Sequence, residues 1–107
     1  MEITIQYFDG CPNWKQTRRD VTALIDELRL GAKISYVQIE TPEAAEEHEF
    51  RGSPTLLIDG ADPFADDTAP VGLTCRVYLT DQGAAGSPSV SQLRAALAAG
   101  HLDGGGP

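Results

Sequence analysis

The chain has 107 residues, 41% hydrophobic and 22% charged, which suits one ordinary globular domain and excludes a collagen-like, coiled-coil or compositionally disordered chain. Eight Lys and Arg stand against sixteen Asp and Glu, a formal net charge of −8. Such acidity serves solubility and repels phosphate, so neither nucleic acid nor an anionic membrane is expected as a partner.

Residues 2–8 alternate, with Ile3, Ile5 and Tyr7 on one face, and predict a strand. Asp9-Gly10 breaks it, and Cys11-Pro12 is expected to open a helix, because proline is tolerated at the first helical position. Trp14, Thr17, Val21, Leu24, Ile25 and Leu28 recur at three and four and form that helix's apolar stripe, with Gly31 as its stop. Residues 33–39 predict a second strand. Thr41-Pro42-Glu43 is a helix start with a cap, a first-turn proline and a first-turn acid. The helix is expected to run to about Glu49; its acids Glu43, Glu46, Glu47 and Glu49 read as a solvated face.

After the turn Phe50–Pro54, Thr55-Leu56-Leu57-Ile58 predicts a buried third strand. Asp59-Gly60 suits a two-residue hairpin, but Ala61-Asp62-Pro63 does not continue one, so residues 61–74 are expected as a long loop. Strand pattern resumes at 75–79, residues 83–87 read as another loop, and Ser87-Pro88 or Ser89 caps a last helix. Val90, Leu93, Ala96 and Leu97 lie along one side of it, and Gly100 is its expected stop. The order βαβαββα predicts an α/β fold. A four-stranded mixed sheet has its first two strands parallel, its last pair antiparallel and helices on both faces. One domain is expected over 1–100, followed by a disordered Gly-rich tail over 101–107. No apolar run approaches the roughly 20 residues that span a bilayer, and no leader pattern precedes the first strand, so the expected location is cytoplasmic.

The two cysteines, Cys11 and Cys75, lie far apart, with no Cys-x-x-Cys pair. A reducing cytoplasm argues against a structural disulfide. His48 and His101 add no ligand spacing, and no metal site is expected. Cys11 at a helix start carries a chemical consequence. Unpaired amides there favour the thiolate, and such cysteines fall from about 8.5 to roughly 3.5–7.5. Lys15 and Arg18 add favourable charge, whereas Asp9 opposes the anion. Tyr7, Phe8 and Phe50 are expected to line or underlie the site.

A strand, then Cys11-Pro12-Asn13-Trp14 at a helix start, then Gly52-Ser53-Pro54-Thr55 opening a later strand, resembles the thioredoxin-like superfamily over nearly the whole chain. Proline directly after the cysteine is similar to the glutaredoxin version. The resemblance implies that Cys11 is the reactive sulfur and Pro54 the cis-proline facing it. By the same resemblance, the Ser53 backbone pairs with a substrate chain, with Pro12 and Trp14 beside the substrate. Trp14 stands where the family's dithiol members carry a resolving cysteine, so a Cys11 adduct needs glutathione, another protein or Cys75 to resolve it. A simple hairpin after the third strand places Cys75 too far from Cys11 for the Cα separation of about 7 Å that a disulfide tolerates. Cys75 is therefore expected to be an ordinary buried cysteine unless the 61–74 loop alters the register.

The function expected first is thiol–disulfide redox or glutathione-linked chemistry through a single cysteine. It acts on small thiols or protein thiols and disulfides, needs no bound cofactor, and takes glutathione as co-substrate. A non-catalytic thioredoxin-like binding module is one alternative. Another is soft-metal or organomercurial handling by Cys11 and Cys75, with Asp9 as proton donor. It rests on a weaker similarity to proteins grouped with organomercurial lyases, and on the softness of thiolate ligands.

Overall fold

The computed structural model describes residues 1–104. The elements are β1 (Glu2–Tyr7), α1 (Trp14–Glu27), β2 (Lys33–Gln38), α2 (Pro42–Glu47), β3 (Thr55–Ile58), β4 (Tyr78–Thr80), β5 (Gly83–Ala85) and α3 (Val90–Gly104). β1 is the centre of a three-stranded mixed sheet of order β2-β1-β3. It pairs parallel with β2, which the α1 crossover requires, and antiparallel with β3.

Register follows from burial. Ile3 lies opposite Ile58 and Ile5 opposite Leu56, so the apolar residues of β1 and β3 share one face. α1 and α3 cover that face with Val21, Leu24, Leu93 and Leu97. A second cluster, Ile39, Ala45 and Phe50 with Val37, Phe8 and Leu73 packed against it, brings α2 to the opposite face of β2.

The helix starts follow from capping. The Thr41 hydroxyl accepts from the Ala44 N–H at 3.1 Å, with Pro42 in the first turn. At α3 the choice falls on Ser89, whose hydroxyl accepts from the Gln92 N–H. The Gln92 side chain in turn accepts from the Ser89 N–H, closing a capping box.

The expected four-stranded sheet is not formed. β4 pairs antiparallel with β5 in a separate hairpin, and the expected 83–87 loop contains β5. Asp59 and Gly60 both have positive φ, and Ile58 and Ala61 exchange backbone hydrogen bonds across them, so the two-residue turn closes. Asp62-Pro63 then takes the chain off the β3 edge, because proline has no N–H to continue a ladder. Other boundaries also differ. α1 ends at Glu27, ahead of a positive φ at Arg29 and short of Gly31, and β4 begins at Tyr78 instead of Cys75. α2 ends at Glu47, ahead of a positive φ at Glu49. β2 ends at Gln38. α3 passes Gly100 and reaches Gly104, into the segment expected as tail, while 105–107 lie outside the described residues. Among the described residues no helix is long and apolar enough to cross a membrane.

Candidate functional site

β1 ends at Tyr7 and the chain turns at once. The Cys11 N–H donates to the Phe8 carbonyl at 3.0 Å. The Phe8 ring lies against this turn, and a Cβ at Gly10 would stand 2.6 Å from its far edge, so a larger residue would have to displace the ring. α1 begins later than expected. Pro12 is exposed, and its carbonyl accepts from the Lys15 N–H in a tight i to i+3 turn, while Asn13 occupies the cap. Cys11 therefore precedes the first α-helical turn instead of heading it. The Asn13 side chain does not cap the helix; its amide Nδ2 reaches Cys11 Sγ at 3.4 Å. A Cβ at Gly86 would lie 2.2 Å from that same nitrogen, so the Asn13 amide is seated against glycine backbone.

The segment before β3 closes the site from the other side. The Ser53–Pro54 peptide is cis, both residues are fully buried, and the Ser53 carbonyl oxygen lies 3.7 Å from Cys11 Sγ. The Ser53 N–H donates to the Thr74 carbonyl at 2.7 Å, and the Ser53 carbonyl accepts from the Arg76 N–H at 3.0 Å. Residues 74–76 thus form a strap bridged parallel to Ser53. The Ser53 backbone groups that the resemblance offers to a substrate chain are held by the protein's own chain. Gly52 makes this approach possible. Its φ is +128°, and a Cβ there would sit 2.8 Å from Arg76 Cβ and 2.9 Å from the Arg76 backbone.

The strap brings the two cysteines together. Cys11 and Cys75 form a disulfide across a Cα–Cα distance of 5.7 Å. The expectation that Cys75 is buried and remote is corrected on both counts. The 61–74 loop returns the chain alongside Ser53 instead of continuing a hairpin from the far end of β3. Burial of the pair is unequal: Cys11 is fully buried and Cys75 is exposed.

Arg76 anchors the strap. It is 7% exposed and donates from Nη1 to Asp62 Oδ2 at 2.7 Å and to Thr55 Oγ1 at 3.4 Å, and from Nη2 to the Phe64 carbonyl. Its guanidinium stands 4.6 Å over the Tyr78 ring. A buried charge so fully partnered resists displacement, since removing its partners would leave it desolvated and alone. The Tyr78 hydroxyl donates to the Pro54 carbonyl. Burial pushes its pKa well above the ordinary value, so it remains a donor.

Trp14 is half-buried and stacks on Tyr7 with ring centroids 4.2 Å apart, and Arg18 lies over it at 5.2 Å. Arg18 is thus placed on an aromatic face; Lys15 is exposed. Phe50 is buried in the second cluster with Ile39 and Ala45, against which Phe8 packs, and Asp9 is exposed on the turn. Trp14 Nε1, Thr17 Oγ1 and Ser53 Oγ are buried without a hydrogen-bond partner. Sequence reasoning missed Asn13, Gly52 and Arg76. A signal existed for Arg76, a cation set in the otherwise apolar alternation of 75–79, and for Gly52, directly before Ser-Pro. None existed for the Asn13 contact.

Comparisons with protein-family models, with curated proteins and with solved structures find no match to this chain.

Proposed function

We propose that this protein is a thiol–disulfide redox protein of thioredoxin-like build that works through the Cys11–Cys75 pair instead of through Cys11 alone. One observation carries the reading: a disulfide joins a fully buried cysteine to an exposed one. A purely structural bridge has no need of an exposed partner, whereas an exchanging one does. In the oxidised form the pair accepts two electrons and two protons from two thiols, which leave as a disulfide, and both cysteines become thiols. The reverse direction reduces a substrate disulfide. Cys75 supplies the second sulfur of the pair, which Trp14 does not. Small thiols such as glutathione, or protein thiols that reach the strap from solvent, are the substrate class, because Ser53 is already paired with the strap.

The test is equilibration of the protein in glutathione and glutathione disulfide mixtures, with turnover followed on bis(2-hydroxyethyl) disulfide. A reversible two-electron equilibrium and turnover lost in both Cys11→Ser and Cys75→Ser are expected. Turnover unchanged in the variants would end this reading, and equilibration without turnover would favour a binding module.

The same proximity supports a second reading. After reduction, two soft thiolates on residues 5.7 Å apart at Cα form a chelating pair for Hg²⁺ or Cu⁺. One equivalent of mercuric ion should then block both thiols of the reduced protein and resist displacement by excess monothiol, and Cys75→Ser should lose that resistance.

A further inference from the structure

The two sulfurs are not equivalent, and their difference assigns an order of events. We infer that Cys75 is the sulfur attacked by the incoming thiolate and that Cys11 is the leaving and resolving thiol. This is the reverse of the order that the resemblance implies. The inference rests on the redox reading above and deepens it.

Access favours Cys75. It sits on the exposed strap, whereas Cys11 lies beneath the Phe8–Cys11 turn and against Ser53, with no exposed surface. Exchange depends on which sulfur can be reached and on how readily the other leaves. The leaving group points the same way. Asn13 Nδ2 stands 3.4 Å from Cys11 Sγ and donates a hydrogen bond to it. Such a bond favours the thiolate and offsets part of the desolvation that opposes an anion at this buried site, so Cys11 has a donor to receive its charge as it leaves. The Ser53 carbonyl, 3.7 Å away on the other side, accepts from Cys11 once it is a protonated thiol. Buried Cys11 thus has a donor for its anionic form and an acceptor for its neutral form.

The steps balance. A thiolate RS⁻ attacks Cys75 Sγ; the RS–S(Cys75) bond forms, the Cys75–Cys11 bond breaks, and Cys11 leaves as thiolate. A second RS⁻ attacks the sulfur of the first thiol, giving RSSR and the Cys75 thiolate. In reverse, the Cys75 thiolate attacks a substrate disulfide RSSR and expels RS⁻. Cys11 thiolate then attacks Cys75 Sγ, expels the second RS⁻ and restores the disulfide. Asn13 acts in this scheme as a positioning residue through Cys11.

The strap makes the order mechanically reasonable. Arg76 and the two Ser53 backbone bonds hold residues 74–76 in place independently of the disulfide. Cys75 carrying an adduct therefore stays beside Cys11, and resolution is intramolecular.

The test uses the wild-type oxidised protein, so no variant need fold without its bridge. Native protein is mixed with glutathione, quenched in acid at early times and mapped by peptide mass spectrometry. At least a tenfold excess of the glutathione adduct on Cys75 over Cys11 is expected. An adduct mainly on Cys11, or shared equally, overturns the order and leaves the redox reading standing. A disulfide that the same glutathione leaves unreduced in the folded protein overturns the redox reading itself. A second measurement reads Asn13. In the reduced Cys75→Ser background, Asn13→Ala, which removes the donor without adding charge, should raise the pH midpoint at which Cys11 ionises, followed by thiolate ultraviolet absorbance. An unmoved midpoint removes Asn13 from the scheme, since a merely structural residue would leave it in place.

Discussion

Cutting the disulfide should destabilise this fold by an amount set by the length of chain it closes. Cys11 and Cys75 are separated by 64 positions. In the chain-entropy description a loop of that length restrains the unfolded ensemble by about 4 kcal/mol at 25 °C, between the values for shorter and longer loops. The ties that remain on reduction are the Ser53 bonds to Thr74 and Arg76 and the Arg76 pairing with Asp62 and Phe64, so the native strap persists. Urea unfolding with and without a phosphine reductant, with thiol counting by mass, measures the difference. At a denaturant dependence of about 1–3 kcal/mol per molar, the midpoint should fall by roughly 1.5–4 M. By the same cycle, the folded state favours the disulfide over the dithiol by about a thousandfold relative to the unfolded chain. Midpoints that coincide, with both thiols demonstrably free, would refute the reasoning. They would mean that the bridge constrains nothing the unfolded chain would otherwise explore.

Gly52→Ala places a Cβ 2.8–2.9 Å from Arg76 Cβ, Cα and N at a φ of +128°. Backbone strain and overpacking together should cost about 2–5 kcal/mol. Displacing the strap should also slow re-formation of the disulfide after reductant removal; wild-type values in both assays would contradict the close approach. The exposed Arg94–Glu27 pair, with Nε to Oε2 at 3.0 Å, ties α3 to α1. Hydrogen bonding to Arg94 lowers the Glu27 pKa from its ordinary 4.5. Its stabilisation is therefore present above pH 4.5 and lost as the pH falls through the depressed folded value. Glu27→Gln should lower the melting temperature slightly at neutral pH and leave it unchanged once the acid limb is reached; an offset constant with pH would show that charge is not involved.

Much of the framework was legible because it is set by local chemistry. The alternation Ile3-x-Ile5, the 17-21-24 stripe of α1, the Thr41-Pro42 start and the Asp59-Gly60 turn each encode an element from neighbours within a few residues. Asp62-Pro63 likewise marked where the hairpin would fail. The order of elements then required β1 and β2 to be parallel. The place of Cys11 between the first strand and the first helix was legible in the same way.

The location of Cys75 was decided by tertiary structure alone. Nothing within the 61–74 segment states that it returns beside Ser53. That depends on a glycine at position 52 admitting the Arg76 backbone, and on Arg76 finding Asp62, Thr55 and the Phe64 carbonyl together. These partners come from separate stretches of chain, and a sequence pattern has no term for their convergence. The loss of the fourth strand has the same origin, because residues 74–76 bond to Ser53 before β4 begins. Local periodicity thus determined which segments are helix or strand. Long-range packing of one buried cation and one close glycine contact determined that the two cysteines meet.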